Sequence, residues 1–418
     1  MWAGVACLGV LAGAAGAAEP ATGDDTDLLA PAQRLRAAAH VLALPMDVLP
    51  GSPQGVEYIL GALGKRAGIA EVATAALSAL ARVTDEQPPG SDGSPPLLVT
   101  AALEGGAAAG IVGALKEHEG EAAVVGAACA SLYALGRHDV GQKAAGQLGA
   151  VELVVAALGR HGSDGGVVGM CAHALMHLTV DGDNKKRFRE APGSAQSLVG
   201  ALRTHAKSLR VARTVSGALN NAAAGDPANK AALVRAGALE AVTQALGTHR
   251  RDASAAEQSC GALAVLAMAD GAHLRVPKAG SVEAAVTALE AHSGQRKPKK
   301  GSGRAPRAPS PRAVAACSRA LASLAWTNPD VQRLARDSLA PEALRAAQAA
   351  FPEDAQVKKW TAKALEKITD PMIEGALLTC VPASLPPRSD SLPPGALFTT
   401  GMFDGLLSGE FQKQKGEM

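Results

Sequence analysis

Five ten-residue blocks recur along the chain with one apolar spacing: GAAAGIVGAL from Gly106, GAVELVVAAL from Gly149, GSAQSLVGAL from Gly193, GALEAVTQAL from Gly237 and GSVEAAVTAL from Gly280. Their glycines stand 43, 44, 44 and 43 residues apart, and each block closes on a leucine: Leu115, Leu158, Leu202, Leu246 and Leu289. In GAVELVVAAL the Val and Leu positions share one helical face rather than alternating as in a strand. The leading glycine predicts the end of a short preceding helix and a sharp turn into the next.

A second leucine follows 17 residues after four of the block leucines: Leu132, Leu175, Leu219 and Leu263, in ASLYAL, AHALMHL, GALNNA and GALAVL. The fifth, Leu321 in RALASL, arrives late because a basic segment intervenes, and Leu365 in KALEKI follows 44 residues after it. One such unit cannot bury its apolar face alone, so neighbours must stack into a solenoid with a continuous core. Upstream, GVEYILGAL from Gly55 and AALSAL ending at Leu80 form a shortened unit, with Leu63 and Leu77 only 14 apart. Terminal repeats are expected to be atypical because one side faces water. The chain therefore reads as a lead over 1–26, an N-terminal helix and capping repeat over 27–97, the array over 98–370 with a basic insert at 293–312, and a Pro-rich tail over 371–418.

Composition refines this picture. The chain is 47% apolar but 2% aromatic, so thin layers of Ala, Leu and Val must supply the core. Net charge is +2, which argues against a polyanionic partner across the whole surface. The insert QRKPKKGSGRAPRAPSPR carries Arg296, Lys297, Lys299, Lys300, Arg304, Arg307 and Arg312 with no acid. Its composition predicts a disordered loop, with nuclear localisation or an acidic partner as the functional alternatives. Without an interleaved aromatic it is unsuited to stacking bases. Ser310 before Pro311 is a candidate phosphorylation site within it.

The six cysteines show no CxxC spacing and make no disulfide framework. Cys129, Cys171, Cys260 and Cys317 fall three or four residues before a repeat leucine, where free thiols are expected as small buried hydrophobes. These points lean towards a reducing compartment: the cytoplasm is expected, with the nucleus as an alternative. Met1 to Ala18 is uncharged and apolar, but the first basic residue is Arg34, so the basic region of a signal peptide is missing. A frayed or disordered lead is favoured, and secretory or organellar targeting stays open.

The stretch NKAALVRAGALEAVT, Asn229 to Thr243, resembles the second helix, glycine turn and third-helix start of an armadillo repeat. GALNNAAAGDPANK before it looks like the end of the preceding repeat and the loop onward. The resemblance covers roughly residues 50–370. It implies an all-α, armadillo-type α-α superhelix whose last helices line a concave face that binds extended peptides or partner helices. The Ala-Leu-x-x-His endings are similar to those of the armadillo repeat-containing protein 6 group. The importin-like groove carries a Trp and an Asn four residues apart in successive repeats. Here the Asn positions hold Ala134, His177, Asn221, Val265 and Ser323, and the Trp positions Ala130, His173, Gly217, Gly261 and Arg319. Only Asn221 fits, so nuclear-localisation-signal binding does not transfer.

His118, His161, His205, His249 and His292 each follow a block leucine by three. Stacked helices lie about 8–10 Å apart, so the row cannot converge on one metal, and helix C-capping is favoured. His173 and His177 lie four apart on one face, but flanking repeats supply no third metal ligand. With Arg210, Arg213, Asn220, Asn221 and Ser323 they form the candidate partner-binding groove, where solvent or a partner is expected to meet them. The tail stretch FTTGMFDGLL, Phe398 to Leu407, is a candidate docking helix. No Walker loop, GxSxG elbow, HExxH or GxGxxG motif is present. A non-catalytic adaptor holding another protein's peptide or helix is therefore expected, without cofactor, metal or small-molecule substrate, and with nucleic acid and membrane disfavoured as partners. The alternative is a structural subunit that uses end-on or convex contacts.

Overall fold

The computed structural model describes residues 52–65, 68–85, 95–294, 309–326 and 328–369. The chain divides into two units between Asp370 and Pro371, and the described residues belong to the first. The N-terminal lead, the basic side chains Arg296, Lys297, Lys299, Lys300, Arg304 and Arg307, and the tail with its candidate docking stretch lie outside the described residues.

Among the described residues every regular element is a helix. A pair, α1 Pro53–Lys65 and α2 Ala70–Asp85, precedes six triplets. The first is α3 Leu97–Glu104, α4 Ala107–Glu117 and α5 Ala122–Gly136; the second α6 Asp139–Gln147, α7 Ala150–Arg160 and α8 Gly165–Leu178. The third is α9 Gly182–Glu190, α10 Ser194–Thr204 and α11 Leu209–Ala223; the fourth α12 Pro227–Ala236, α13 Ala238–His249 and α14 Ala253–Leu266. In the fifth a 3-10 turn, Ala272–Leu274, and the four-residue α15 Val276–Ala279 replace the first helix before α16 Ser281–His292 and α17 Pro311–Ala325. The sixth is α18 Pro329–Asp337, α19 Ala340–Ala350 and α20 Ala355–Thr369. The last helices α2, α5, α8, α11, α14, α17 and α20 pack each on the next, forming one continuous layer. Among the described residues no single helix is long and apolar enough to cross a membrane.

The block glycines do what their spacing predicts. Gly106, Gly149, Gly193, Gly237 and Gly280 all take φ between 69° and 90°, the left-handed turn that separates first from second helices. Several first and third helices start differently, on side-chain caps that accept from free N–H groups. Asp181, Asp226 and Asn328 cap first helices; Asp164, Ser208, Asp252 and Ser310 cap third helices. Ser310, the candidate phosphorylation site, thus occupies the N-cap of α17. Buried Leu, Val and Ala fill the space between layers, with Phe188 the largest fully buried side chain. Leu132, Leu175, Leu219, Leu263 and Leu321 are all in this core, whereas Leu365 on the last helix is only half-buried. No further repeat covers it among the described residues.

Polar side chains then tie repeats together. The block histidines end the second helices, with His118, His161 and His205 at the C-cap position, and the side chains of four of them reach into the preceding repeat. Nε2 of His161 donates to the Glu119 carbonyl at 2.8 Å, and that of His205 to Gly162 at 2.8 Å. Nε2 of His249 donates to Ala206 and that of His292 to Arg250, both at 3.0 Å. Each acceptor follows the block histidine of the preceding repeat, so these side chains, placed at helix C-termini as expected, also staple repeats together. A carbonyl only accepts, which fixes the proton on Nε2. On the first helices, Asn184 Nδ2 donates to Gln142 and Leu178 carbonyls, and Asn229 Nδ2 to Lys185 and Ala222 carbonyls. Gln332 Nε2 likewise joins the Ala325 and Lys367 carbonyls.

The cysteines correct the expectation of free thiols. Cys129, Cys171, Cys260 and Cys317 are fully buried, as expected, but they pair as two disulfides, Cys129–Cys171 and Cys260–Cys317. Each bond joins neighbouring third helices with 4.9 Å between Cα atoms, a close approach that the small residues of this layer permit. In both pairs one cysteine lies three residues before its repeat leucine and the other four, a relation between helices that spacing within one helix does not reveal.

The insert leaves the register intact because its ends meet. Gly294, at φ 78°, lies against Pro309, and Ser310 N–H donates to the His292 carbonyl at 3.1 Å.

Candidate binding groove

The free face of the third-helix layer carries two distinct clusters. The first centres on Tyr133 of α5, which lies under His173 of α8 with ring centroids 3.9 Å apart and planes at 21°. His177 meets Tyr133 edge-on at 5.1 Å and His173 at 5.5 Å. Beside them Arg137 Nη1 donates to Asp85 Oδ1 and to the Asp85 carbonyl. Burial, reinforced by His177, Arg210 and Arg213 against the pull of Asp85, pushes the His173 pKa down to about 4. His177 is lowered chiefly by burial and then by Arg137. Both rings are therefore neutral near pH 7. The two histidines, expected to meet solvent or a partner, are half-buried and stack with Tyr133 and with each other. Among the described residues no group of three or more His, Cys, Asp or Glu is placed to hold a metal.

The α11 residues are also divided between roles. Asn221 Nδ2 donates to the Met176 carbonyl at 2.7 Å, bracing α11 against α8, so its donor is already engaged. Arg210 reaches back along α8 to the Met170 sulfur, beside Gly169, where a Cβ would crowd the arginine stem. Arg213 is half-buried one turn on. Asn220 Nδ2 donates to Asn221 Oδ1 at 3.2 Å, but its own Oδ1 is buried without a partner among the described residues.

Asn220 opens the second cluster, a cleft on α11, α14, α17 and α20 lined by Gln258, Gly261, Arg312, Arg319 and Trp360 among others. A Cβ on Gly217 would meet the flexible ends of Met176 and Gln258, so a larger residue there would displace side chains that reach α11 from α8 and α14. Arg319 lies half-buried with its Cζ 6.0 Å from the Trp360 ring centroid, and its Nε is buried without a partner among the described residues. Burial lowers its pKa from the ordinary value. Lys359 and Lys363 also approach the Trp360 ring, at 5.4 and 5.7 Å. Lys363 and Lys367 lie 5.3 and 4.4 Å from the Trp326 ring. Ser323, one turn before Trp326, lies outside the cleft.

Of the seven groove residues expected from sequence, only Asn220 lies in this cleft. Gln258, Trp326, Trp360 and the lysines of α20 were missed as site residues, and Arg319 entered only as a position where a ladder Trp was absent. The available signal was rarity: Trp326 and Trp360 are two of three tryptophans in a chain that is 2% aromatic.

No protein-family model matches the sequence, and no curated protein does either. The likeness lies in three dimensions. An engineered protein solved by the Northeast Structural Genomics Consortium superposes with TM-score 0.60 at 24% identity, over 80% of this chain and 74% of that one. A structure described as showing a phosphorylation switch in the interaction between cadherin and β-catenin matches with TM-score 0.57 at 20% identity, over 86% of this chain and 62% of the other. A designed armadillo repeat protein matches with TM-score 0.50 at 19% identity, over 62% of this chain and 98% of its own length. At these identities the comparisons speak for the fold: the described part of this chain is an all-α, armadillo-type solenoid.

Proposed function

We propose that the chain is a non-catalytic scaffold that holds an extended segment or helix of another protein along its third-helix face. The observation that carries this reading is the cleft across α11, α14, α17 and α20. Its walls come from the third-helix layer, and it contains polar atoms, Asn220 Oδ1 and Arg319 Nε, that no described residue satisfies. Buried polar atoms are rarely left unpaired, and turning the Asn220 and Arg319 side chains towards a bound segment would give them partners. The neighbouring structure, described as concerning the interaction between cadherin and β-catenin, supports the reading by analogy of fold. Kinship with the armadillo repeat-containing protein 6 group rests on the Ala-Leu-x-x-His endings alone.

The test is affinity capture with a groove variant, Arg213→Glu with Gln258→Arg, beside a control on an exposed first-helix position, Arg235→Glu. A partner lost from the first and kept by the second supports a groove scaffold. The exposed apolar side chains Leu148, Val180, Leu274 and Leu339, near the first helices, favour the structural-subunit alternative. That alternative gains if the groove variant keeps its partners while replacing these residues releases them.

The disulfides change the compartment we propose. Paired cysteines persist where the environment is oxidising and are rare in the cytoplasm, so Cys129–Cys171 and Cys260–Cys317 favour maturation in an oxidising compartment over the expected cytoplasm. Non-reducing peptide mapping of protein taken directly from cells decides this: four alkylated free thiols would return the chain to the cytoplasm.

A further inference from the structure

The cleft has a chemical preference of its own. Basic groups crowd it and its downstream rim: Arg312, Arg319, Lys359, Lys363 and Lys367. Few acids oppose them. Asp354 accepts from Val357 N–H at the start of α20, and Glu366 is held by Lys367 at 2.8 Å. Glu257 is the remaining carboxylate lining the cleft. Arg319 has no carboxylate partner among the described residues; it lies instead over the Trp360 ring. The guanidinium is a planar fork suited to bidentate carboxylate binding, and partial burial strengthens such a bond.

We propose that the cleft between α11 and α20 is a carboxylate-binding subsite in which Arg319, backed by Trp360 and flanked by Lys359, Lys363 and Arg312, takes Asp or Glu side chains of an acidic, extended segment from a partner protein. This rests on the groove reading above and names the chemistry of its occupant. Asn220 Oδ1, facing Arg319 across Gly261, is buried in the free chain, so the amide must turn outward to accept a backbone N–H of the same segment. Neighbouring helices lie about 8–10 Å apart, while an extended chain rises about 3.4 Å per residue. Acids three residues apart therefore meet basic groups on successive helices. Single-stranded nucleic acid also combines charge with aromatic stacking, but it needs open ring faces. Here lysine and arginine cations already lie against both tryptophans.

Trp326 and Trp360 make intrinsic fluorescence a reporter of the site in the full chain. The probes are a synthetic peptide of four Asp-Gly-Ser repeats, its Lys-Gly-Ser counterpart, and a single-stranded oligothymidine. The acidic peptide should change the fluorescence saturably, more weakly at high salt, while the lysine peptide leaves it unchanged. Arg319→Met, which keeps the stem, should weaken binding about tenfold or more. Lys363→Gln, closer to solvent, should weaken it with unchanged melting, so the outcome does not depend on one variant folding. Binding of oligothymidine at least as tight as the acidic peptide overturns the proposal, as does unaltered affinity in both variants or no saturable change. The groove reading fails separately. A cellular partner that survives Arg319→Met but is lost with Arg213→Glu and Gln258→Arg removes the subsite and leaves the groove. If acidic peptide binding depends on Arg319 while capture ignores both groove variants, the subsite stands without the scaffold role.

Discussion

Leu339 stands where five earlier repeats place glycine, between α18 and α19, and it alone among described non-glycine residues has positive φ, at 57°. A left-handed leucine costs about 1–2 kcal/mol, and glycine there would give back about 0.5–1 kcal/mol in the unfolded chain. Because Leu339 is 61% exposed, little packing opposes the change. Leu339→Gly should raise stability by about 0.5–1 kcal/mol in chemical denaturation, with the slope unchanged. A clear loss would show that Leu339 contacts outweigh backbone strain. His173 makes a pH statement of the same kind. Its pKa in the fold is about 4 against an ordinary 6.5, so between those values the unfolded chain binds a proton that the fold excludes. Stability is full above pH 6.5, falls as pH drops, and levels off near 4. His173→Phe, which keeps a ring against Tyr133, should flatten that fall; an unaltered profile would place the titrating group elsewhere. The sequence made the histidine pair visible by its spacing, but not Tyr133 beneath it, because that contact crosses repeats and depends on how α5 meets α8.

At the scale of elements, what was legible was whatever recurs within one strand of sequence. The glycine turns, the core leucines and the late arrival of Leu321 all follow from spacing, and the structure places each as expected. Contacts between repeats were not legible, because spacing does not say which faces meet. The Asp-x-x-Asn pairs, Asp181 with Asn184 and Asp226 with Asn229, were a usable sign of the first-helix ladder: the aspartate caps and the asparagine bridges. Asn229→Ala removes two donors to buried carbonyls and should cost about 1–3 kcal/mol; no loss would show that water replaces the amide. The disulfides close segments of 42 and 57 residues. Each should contribute up to about 4 kcal/mol by restricting the unfolded chain. Reductant should therefore lower the denaturation midpoint of the natural chain and leave that of a Cys129→Ser, Cys171→Ser, Cys260→Ser, Cys317→Ser variant unmoved. Equal midpoints for the natural chain with and without reductant would contradict the pairing.

For the molecule as a whole, the third-helix layer is the backbone of the stack and the face on which we propose that a partner binds. Small residues, two disulfides and the Asn221 brace bring these helices close, and that closeness sets Asn220, Gln258, Arg319 and Trp360 around one cleft. The most direct test of this arrangement is a photo-crosslinking amino acid placed in turn at Ala316, which lines the cleft, and at Arg235, exposed on α12. Partner proteins should be captured from Ala316 and not from Arg235. Capture from Arg235 alone would contradict the account and make the first-helix side the binding surface.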